Sequence, residues 1–302
     1  MPRPTNPADV QSNKSKPSSS SSSSSSPVVR PVSVVSSGKS SPSGIGDCVF
    51  LEEERQQSIG ILYGGPGSGK TSLMLRHAPS PGMLINFDGR ARQVVREARE
   101  LGKKIHYLEV PFDTKRVARM SKEDAQVAGL SALDFVTRNY EAGLEAAIKG
   151  NLNYIVLDTG TELGDLVTLA IRGRVGTKES DYGNSKNQIA LQWWGLFQSA
   201  RSAGVNLVVL SRQTGVWRDN TPVPDRYQPK IQDVAEDAVD WITGIKMKTR
   251  GKKFSFELLV HNAKVNPAET LSVYTEDDWG GDGPWAYMNS MLYPKSSIED
   301  WK

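Results

Sequence analysis

The sequence predicts an α/β fold: a mostly parallel central sheet, covered by helices on both faces, with a C-terminal antiparallel hairpin. Three observations predict it. Short runs rich in Val, Ile and Leu recur with helical stretches between them, and strands apolar along their whole length are those buried on both faces. A glycine-rich turn, Gly64-Gly65-Pro66-Gly67-Ser68-Gly69-Lys70-Thr71, separates the first strand from the first helix. Past Trp241 the pattern changes. Residues 242–248 and 254–260 flank Arg250-Gly251-Lys252 as the arms of a β-hairpin flank its turn.

Taken in order, the chain divides into three parts. Residues 1–47 are low in complexity, with an unbroken serine run from Ser18 to Ser26. Such a composition does not bury enough apolar surface to offset its ordering entropy, so a disordered tail is expected there. Residues 48–275 form the expected domain. Its strands are Ser58–Tyr63, Gly82–Phe87, Ile105–Val110, Tyr154–Leu157 and Asn206–Leu210. Helices are expected over 71–76 and onward, 90–101, 122–149 and 188–201. In the longest, Leu130, Leu133, Val136, Tyr140, Leu144 and Ile148 recur at helical spacing. Residues 172–187 and 215–233 read as long loops. Residues 276–302 are acidic, punctuated by Gly and Pro, and carry Trp279, Trp285, Tyr287 and Trp301. They are expected to form a C-terminal tail that solubilises, or that docks on a protein partner.

Bulk numbers exclude several classes. The 302-residue chain holds one cysteine, Cys48, which rules out an intrachain disulfide and fits a reducing compartment. No apolar run approaches the roughly 18 residues of a membrane span, and the N-terminus lacks the apolar core of a signal peptide. A soluble, cytoplasmic protein with no membrane partner is expected. The net charge of +3 is unevenly spread: +3 in residues 1–47, +4 in 48–275 and −4 in 276–302. The middle is mildly basic, which permits a local nucleic-acid patch without arguing for one.

The glycine-rich turn fits G-x-x-x-x-G-K-[ST], the phosphate-binding P-loop or Walker A pattern. Its glycines let the backbone curl so that N–H groups of residues 64–72, Ser72 included, face phosphate oxygens at a helix N-terminus. Lys70 supplies a cation for the β- and γ-phosphates. Thr71 supplies a hydroxyl for Mg²⁺, which takes few protein ligands and keeps several waters. Tyr154-Ile155-Val156-Leu157-Asp158 is the matching Walker B pattern, with Asp158 at the strand's C-terminal edge beside Mg²⁺. ATP and Mg²⁺ are therefore the expected cofactors. Hydrolysis needs a further carboxylate to orient the attacking water. The residue after Asp158 is Thr159, so that group lies elsewhere. Asp88, ending Ile85-Asn86-Phe87-Asp88, is the favoured candidate, and Glu162 the alternative. Arg212 follows the strand 206–210 and is placed to touch the γ-phosphate and report its loss. The two loops carry cations among aromatics: Arg172, Arg174, Lys178 and Lys186 around Tyr182, then Arg218, Arg226 and Lys230 around Trp217 and Tyr227. Cations that track phosphates, beside rings that stack on bases, suit a single strand.

The P-loop, the strand ending Asn86-Phe87-Asp88-Gly89, Tyr154–Thr159 and Val208-Val209-Leu210-Ser211-Arg212-Gln213-Thr214 occur in an order that resembles the RecA-like recombinase ATPases. The sequence is most similar to their compact phage-encoded relatives, a RecA core alone that serves in single-strand annealing and recombination. The resemblance covers about residues 56–265. It implies a RecA-like fold, a DNA-stimulated Mg²⁺-dependent ATPase, a filament or ring, and, for a phage protein, the cytoplasm of a bacterial host. It places Asp88 where the family has a catalytic glutamate and Arg212 where it has a γ-phosphate sensor. It sets loops 172–187 and 213–233 where the family binds DNA. It lets Lys246, Lys248 or Arg250 reach a neighbouring subunit's nucleotide. Asp88 is shorter than glutamate and Arg212 differs from the usual Gln, departures that bear on hydrolysis rate and coupling. A motor or loader ATPase of the same core, a small-molecule P-loop kinase and a non-hydrolysing nucleotide-switch adaptor are the alternatives.

Overall fold

The computed structural model describes residues 57–117, 119–173, 183–219, 221–231, 233–250 and 253–302. The expected N-terminal tail, 1–47, lies outside the described residues. Among the described residues, the strands are β1 (Ile59–Gly64), β2 (Gly82–Asn86), β3 (Ile105–Glu109), β4 (Tyr154–Asp158), β5 (Asn206–Arg218), β6 (Thr221–Pro229), β7 (Trp241–Arg250), β8 (Lys253–Ala263) and β9 (Val273–Thr275). The helices are α1 (Lys70–His77), α2 (Arg92–Glu100), α3 (Thr114–Val117), α4 (Lys122–Ile148), α5 (Gly160–Arg172), α6 (Gly183–Ser202), α7 (Asp233–Ala238), α8 (Glu276–Trp279) and α9 (Pro284–Leu292).

The strands form one sheet in the order β3-β2-β4-β5-β1-β7-β8-β9, with β6 paired to β5. From β3 to β7 every neighbour is parallel; β8 and β9 run antiparallel. This is the expected doubly covered sheet with its antiparallel extension. Each central strand feeds two cores. In β1, Ile59, Ile61 and Tyr63 join the cluster under α4, α5, α6 and α7, while Leu62 joins the cluster under α1, α2 and α9. That split is why these strands read as unbroken apolar runs. Register aligns the strand ends. Gly64 of β1 lies beside Arg212 of β5, and Asn86 of β2 beside Asp158 of β4. The chemistry-bearing residues therefore gather along one edge, where helices begin.

Three expectations are corrected. Residues 215–233 are not a structureless loop. β5 leaves the parallel sheet after Arg212 and pairs with β6 as an antiparallel hairpin, from Gln213 opposite Pro229 to Arg218 opposite Thr221, with a register shift between Gly215 and Trp217. Its residues are polar on both sides, so period-2 patterning was weak, yet Thr214, Val216, Trp217 and Thr221 suit an extended backbone. Residues 276–302 are not a tail. Trp279, Trp285, Met288, Leu292 and Trp301 are buried in the same cluster as Leu73, Met74 and Leu75 of α1, and the described residues, from 57 to 302, belong to one compact unit. The acidic side chains face outward over this apolar layer and mask it in composition.

The third correction concerns α4. Val136, Tyr140 and Leu144 are buried as expected, but Leu130 and Ile148 are exposed, and Ala125, Gly129, Ala132 and Gly143 complete the buried stripe. Small residues win because α5 comes very close: a Cβ on Gly129 would lie 2.9 Å from the backbone nitrogen of Ala170. Helix α5 itself occupies the start of the region read as a loop from Arg172, ending at Gly173 in the left-handed conformation (φ 68°). Of the loop's cations, Arg174 and Lys178 lie outside the described residues.

Candidate active site

β1 ends at Gly64 and α1 begins at Lys70, and the five residues between them curl tightly. Gly67 and Gly69 have φ of 72° and 86°, a region that only glycine enters without strain. Ser68 N–H returns to Gly65 O at 3.2 Å. At Gly64 the constraint is space: a Cβ would lie 2.7 Å from both Ile245 O and Ser68 Oγ. Lys70 folds back over the loop and donates to Gly64 O (2.9 Å), Gly65 O (3.0 Å) and Ser68 Oγ (3.3 Å). Burial lowers the affinity of this ammonium for its proton, while nearby Asp158 raises it. Pro66 is exposed and Ser72 half-buried at the start of α1.

Thr71 Oγ1 donates to Asp158 Oδ2 at 2.8 Å, joining the P-loop helix to the end of β4. Asp158 is 5% exposed, and its pKa is raised to about 6, first by burial and then by the charges of Asp88 and Glu162; the Thr71 hydrogen bond and Lys70 oppose the rise. A buried carboxylate among like charges is a place where a divalent cation is welcome. Among the described residues no cluster of three His, Cys, Asp or Glu side chains converges into a metal cage. Thr71 and Asp158 therefore fit Mg²⁺ that takes its remaining ligands from phosphate and water, as that ion usually does.

The two candidate carboxylates differ in their surroundings. Asp88 is half-buried just past β2. Its Oδ1 accepts from Arg90 N–H (3.0 Å) and from Asn86 Nδ2 (3.3 Å), and it forms no ion pair among the described residues. Asn86 is fully buried. It also donates to Asp158 O (3.3 Å) and accepts from Gly89 N–H (2.7 Å), so it ties the Asp88 turn to the end of β4. Sequence reasoning passed over Asn86. The signal was there, a polar residue inside Met-Leu-Ile-Asn-Phe, since a buried amide must be spent on hydrogen bonds. Glu162 is already engaged. It sits in the first turn of α5, where Thr159 caps the helix, and it accepts from the Thr159 hydroxyl and pairs with the Arg212 guanidinium. Burial raises its pKa and Arg212 lowers it. Asp88, Asp158, Glu162, Lys70 and Arg212 thus form one electrostatic group.

Beyond Arg212 the β5–β6 hairpin exposes Trp217, Arg218, Arg226 and Tyr227, with Lys230 exposed at its foot. A cavity of about 890 Å³ runs from the P-loop to this hairpin, past Tyr63, Arg226, Tyr227, Lys246 and His261. Arg172 lies in the last turn of α5, and Lys186 falls on α6. On β7, Lys246 is exposed, Lys248 pairs with Glu257, and Arg250 ends the strand.

A family model described as an AAA domain matches residues 56–269. No curated protein matches the sequence. Among solved structures, a KaiC-like protein from the hyperthermophilic archaeon Pyrococcus horikoshii OT3 is similar over 72% of this chain and 84% of that one, at 14% identity and a TM-score of 0.39.

Proposed function

The chain belongs to the AAA domain family, and on that premise we propose that it is a RecA-like, Mg²⁺-dependent ATPase that acts on single-stranded DNA. The observation that carries the ATPase reading is the Thr71–Asp158 hydrogen bond, which puts a hydroxyl and a buried carboxylate side by side next to Lys70. The P-loop backbone and Lys70 hold the β- and γ-phosphates. Thr71 and Asp158 would hold Mg²⁺, which would neutralise charge on the phosphate oxygens. Asp88, which forms no ion pair among the described residues and is oriented by Asn86, orients the attacking water; Glu162 is committed to Arg212. Arg212 stabilises charge that develops on the γ-phosphate. The single-strand reading is supported by the hairpin, which exposes Trp217, Arg218, Arg226 and Tyr227, the last two lining a cavity that continues to the P-loop. Loop 172–187 would contribute Arg172, Arg174, Lys178 and Lys186. Assembly into a filament or ring, and a role in annealing, recombination or replication like that of compact phage-encoded relatives, complete the proposal.

The test is ATP turnover with and without a single-stranded oligonucleotide, at two salt concentrations. Stimulation that fades as salt rises is the expected result. Turnover indifferent to the oligonucleotide would leave the ATPase standing and remove its nucleic-acid substrate. Lys70→Ala should abolish ATP binding; a variant that still binds and hydrolyses ATP normally would overturn the site.

A further inference from the structure

The foot of the β5–β6 hairpin is fastened to the first turn of α5. Thr161, buried, accepts the N–H of Arg212 on its hydroxyl oxygen (3.3 Å) and donates its hydroxyl hydrogen to Lys230 O (2.8 Å). Arg212 and Lys230 are where the two arms meet the sheet, and Lys230 N–H donates to Arg212 O at 2.6 Å. One residue further, Glu162 holds the Arg212 guanidinium. The same turn belongs to the phosphate site. Thr159, whose hydroxyl donates to Glu162, follows directly on Asp158, which accepts from Thr71. Packing leaves little slack: a Cβ on Gly160 would lie 2.3 Å from Val209 of β5 and 3.0 Å from Ile231 past the hairpin. Tyr63, just ahead of the P-loop, adds a tie by donating to Tyr227 O at 3.2 Å.

Arg212 is the more exposed member of its ion pair with Glu162. Its guanidinium is about half exposed, and it is close enough to Lys70 to repel that ammonium. A γ-phosphate held by Lys70 would therefore compete with Glu162 for Arg212, which has five N–H donors to share. Any shift of Arg212 acts on a backbone already bonded to Thr161 and Lys230.

We infer that the first turn of α5 transmits the state of the phosphate site to the β5–β6 hairpin, with Thr161 and Glu162 as positioning residues that set where Arg212 and the hairpin foot stand. This rests on the ATPase reading above and is independent of what the hairpin binds. The contacts run without a break from Thr71 through Asp158, Thr159 and Glu162 to Arg212, Thr161 and Lys230.

The experiment is hydrogen exchange of the amides in residues 213–229 of the full chain, saturated either with Mg²⁺ and ADP or with Mg²⁺ and a non-hydrolysable ATP analogue. The native protein should show hairpin exchange that differs between the two states by about fivefold or more, the low end of ordinary coupling. Thr161→Val and Glu162→Gln should each erase most of that difference, and Thr161→Ser should keep it. A merely structural role would speed exchange equally in both states. If nucleotide binds and the native hairpin does not respond, or if Thr161→Val and Glu162→Gln respond like the native protein, the inference is overturned. If nucleotide does not bind at all, the ATPase reading fails instead. Should Thr161→Val not fold, Glu162→Gln, close in shape to the native side chain, decides alone.

Discussion

Two stretches of this chain mix aromatic and charged residues in similar density, and the structure treats them in opposite ways. The β5–β6 hairpin turns Trp217 and Tyr227 outward, 65% and 46% exposed. The stretch from Glu276 onward buries Trp279, Trp285 and Trp301 to 6%, 0% and 2%. What differs is the surface beneath. The hairpin arms leave the sheet after Arg212 and from Gln213 onward pair with each other. Helices α8 and α9 lie against α1 and the Leu258 and Val260 side of β8. An aromatic residue in polar company is thus either a missing wall of the core or a surface that meets a partner, and the chain's path decides which.

That contrast is easiest to break at its buried end. Trp285→Ala should cost about 3–5 kcal/mol of stability, the usual penalty for emptying a large aromatic site; denaturant unfolding measures it. A loss below about 1 kcal/mol would mean that the C-terminal layer is only loosely held. The next effect is set by pH. Burial lifts Asp158 from 3.8 to about 6, so the folded protein holds a proton there that the unfolded chain has already released. Between about pH 4 and 6 this group therefore makes stability fall as pH rises, by on the order of 2–3 kcal/mol in all. Thermal melts of the native protein and of Asp158→Asn should differ in slope across that window. Binding of Mg²⁺ needs the carboxylate form, so Mg²⁺ affinity should decline below about pH 6. At the exposed end, Trp217→Ala should leave stability within about 0.5 kcal/mol and weaken binding of a single-stranded oligonucleotide by about 1–3 kcal/mol. The smallest effect belongs to charge. Replacing Arg218 and Arg226 by Gln should flatten the log–log salt dependence of that binding by about 1.4, at roughly 0.7 per phosphate contact. An unchanged slope would remove the hairpin from the nucleic-acid surface.

The central sheet was legible because its strands are buried on two faces and terminate in recognisable residues. The P-loop and Asp158 were legible for the same reason: glycine, lysine and an aspartate at a strand end are fixed by backbone geometry within a few residues. What escaped was everything that depends on distant partners. Nothing local marks Thr161 as the clamp on Arg212 and Lys230, because those contacts cross 51 and 69 positions. Neither does anything local say that Glu162 is paired while Asp88 forms no ion pair among the described residues. The α4 stripe was legible in part, at Val136, Tyr140 and Leu144, and missed at its ends for a related cause. Leucine spacing looks like a buried face, but where the helix approaches its neighbour to backbone contact at Gly129 it buries small residues and leaves Leu130 exposed. Asn86 was different. It stood in plain view inside an apolar strand, and hydrogen-bond accounting alone would have singled it out.

The packing of α9 against α1 has a practical side. Helix α1 is eight residues long, and its buried Leu73, Met74 and Leu75 share a cluster with Trp285, Met288 and Leu292. The helix whose first turn bears Lys70 and Thr71 is thus buttressed from the far end of the chain. A recombinant protein trimmed at Thr275, where the sequence invites the cut, would lose that support. It would then register as a nucleotide-binding defect although none of the P-loop or strand-end residues had been removed.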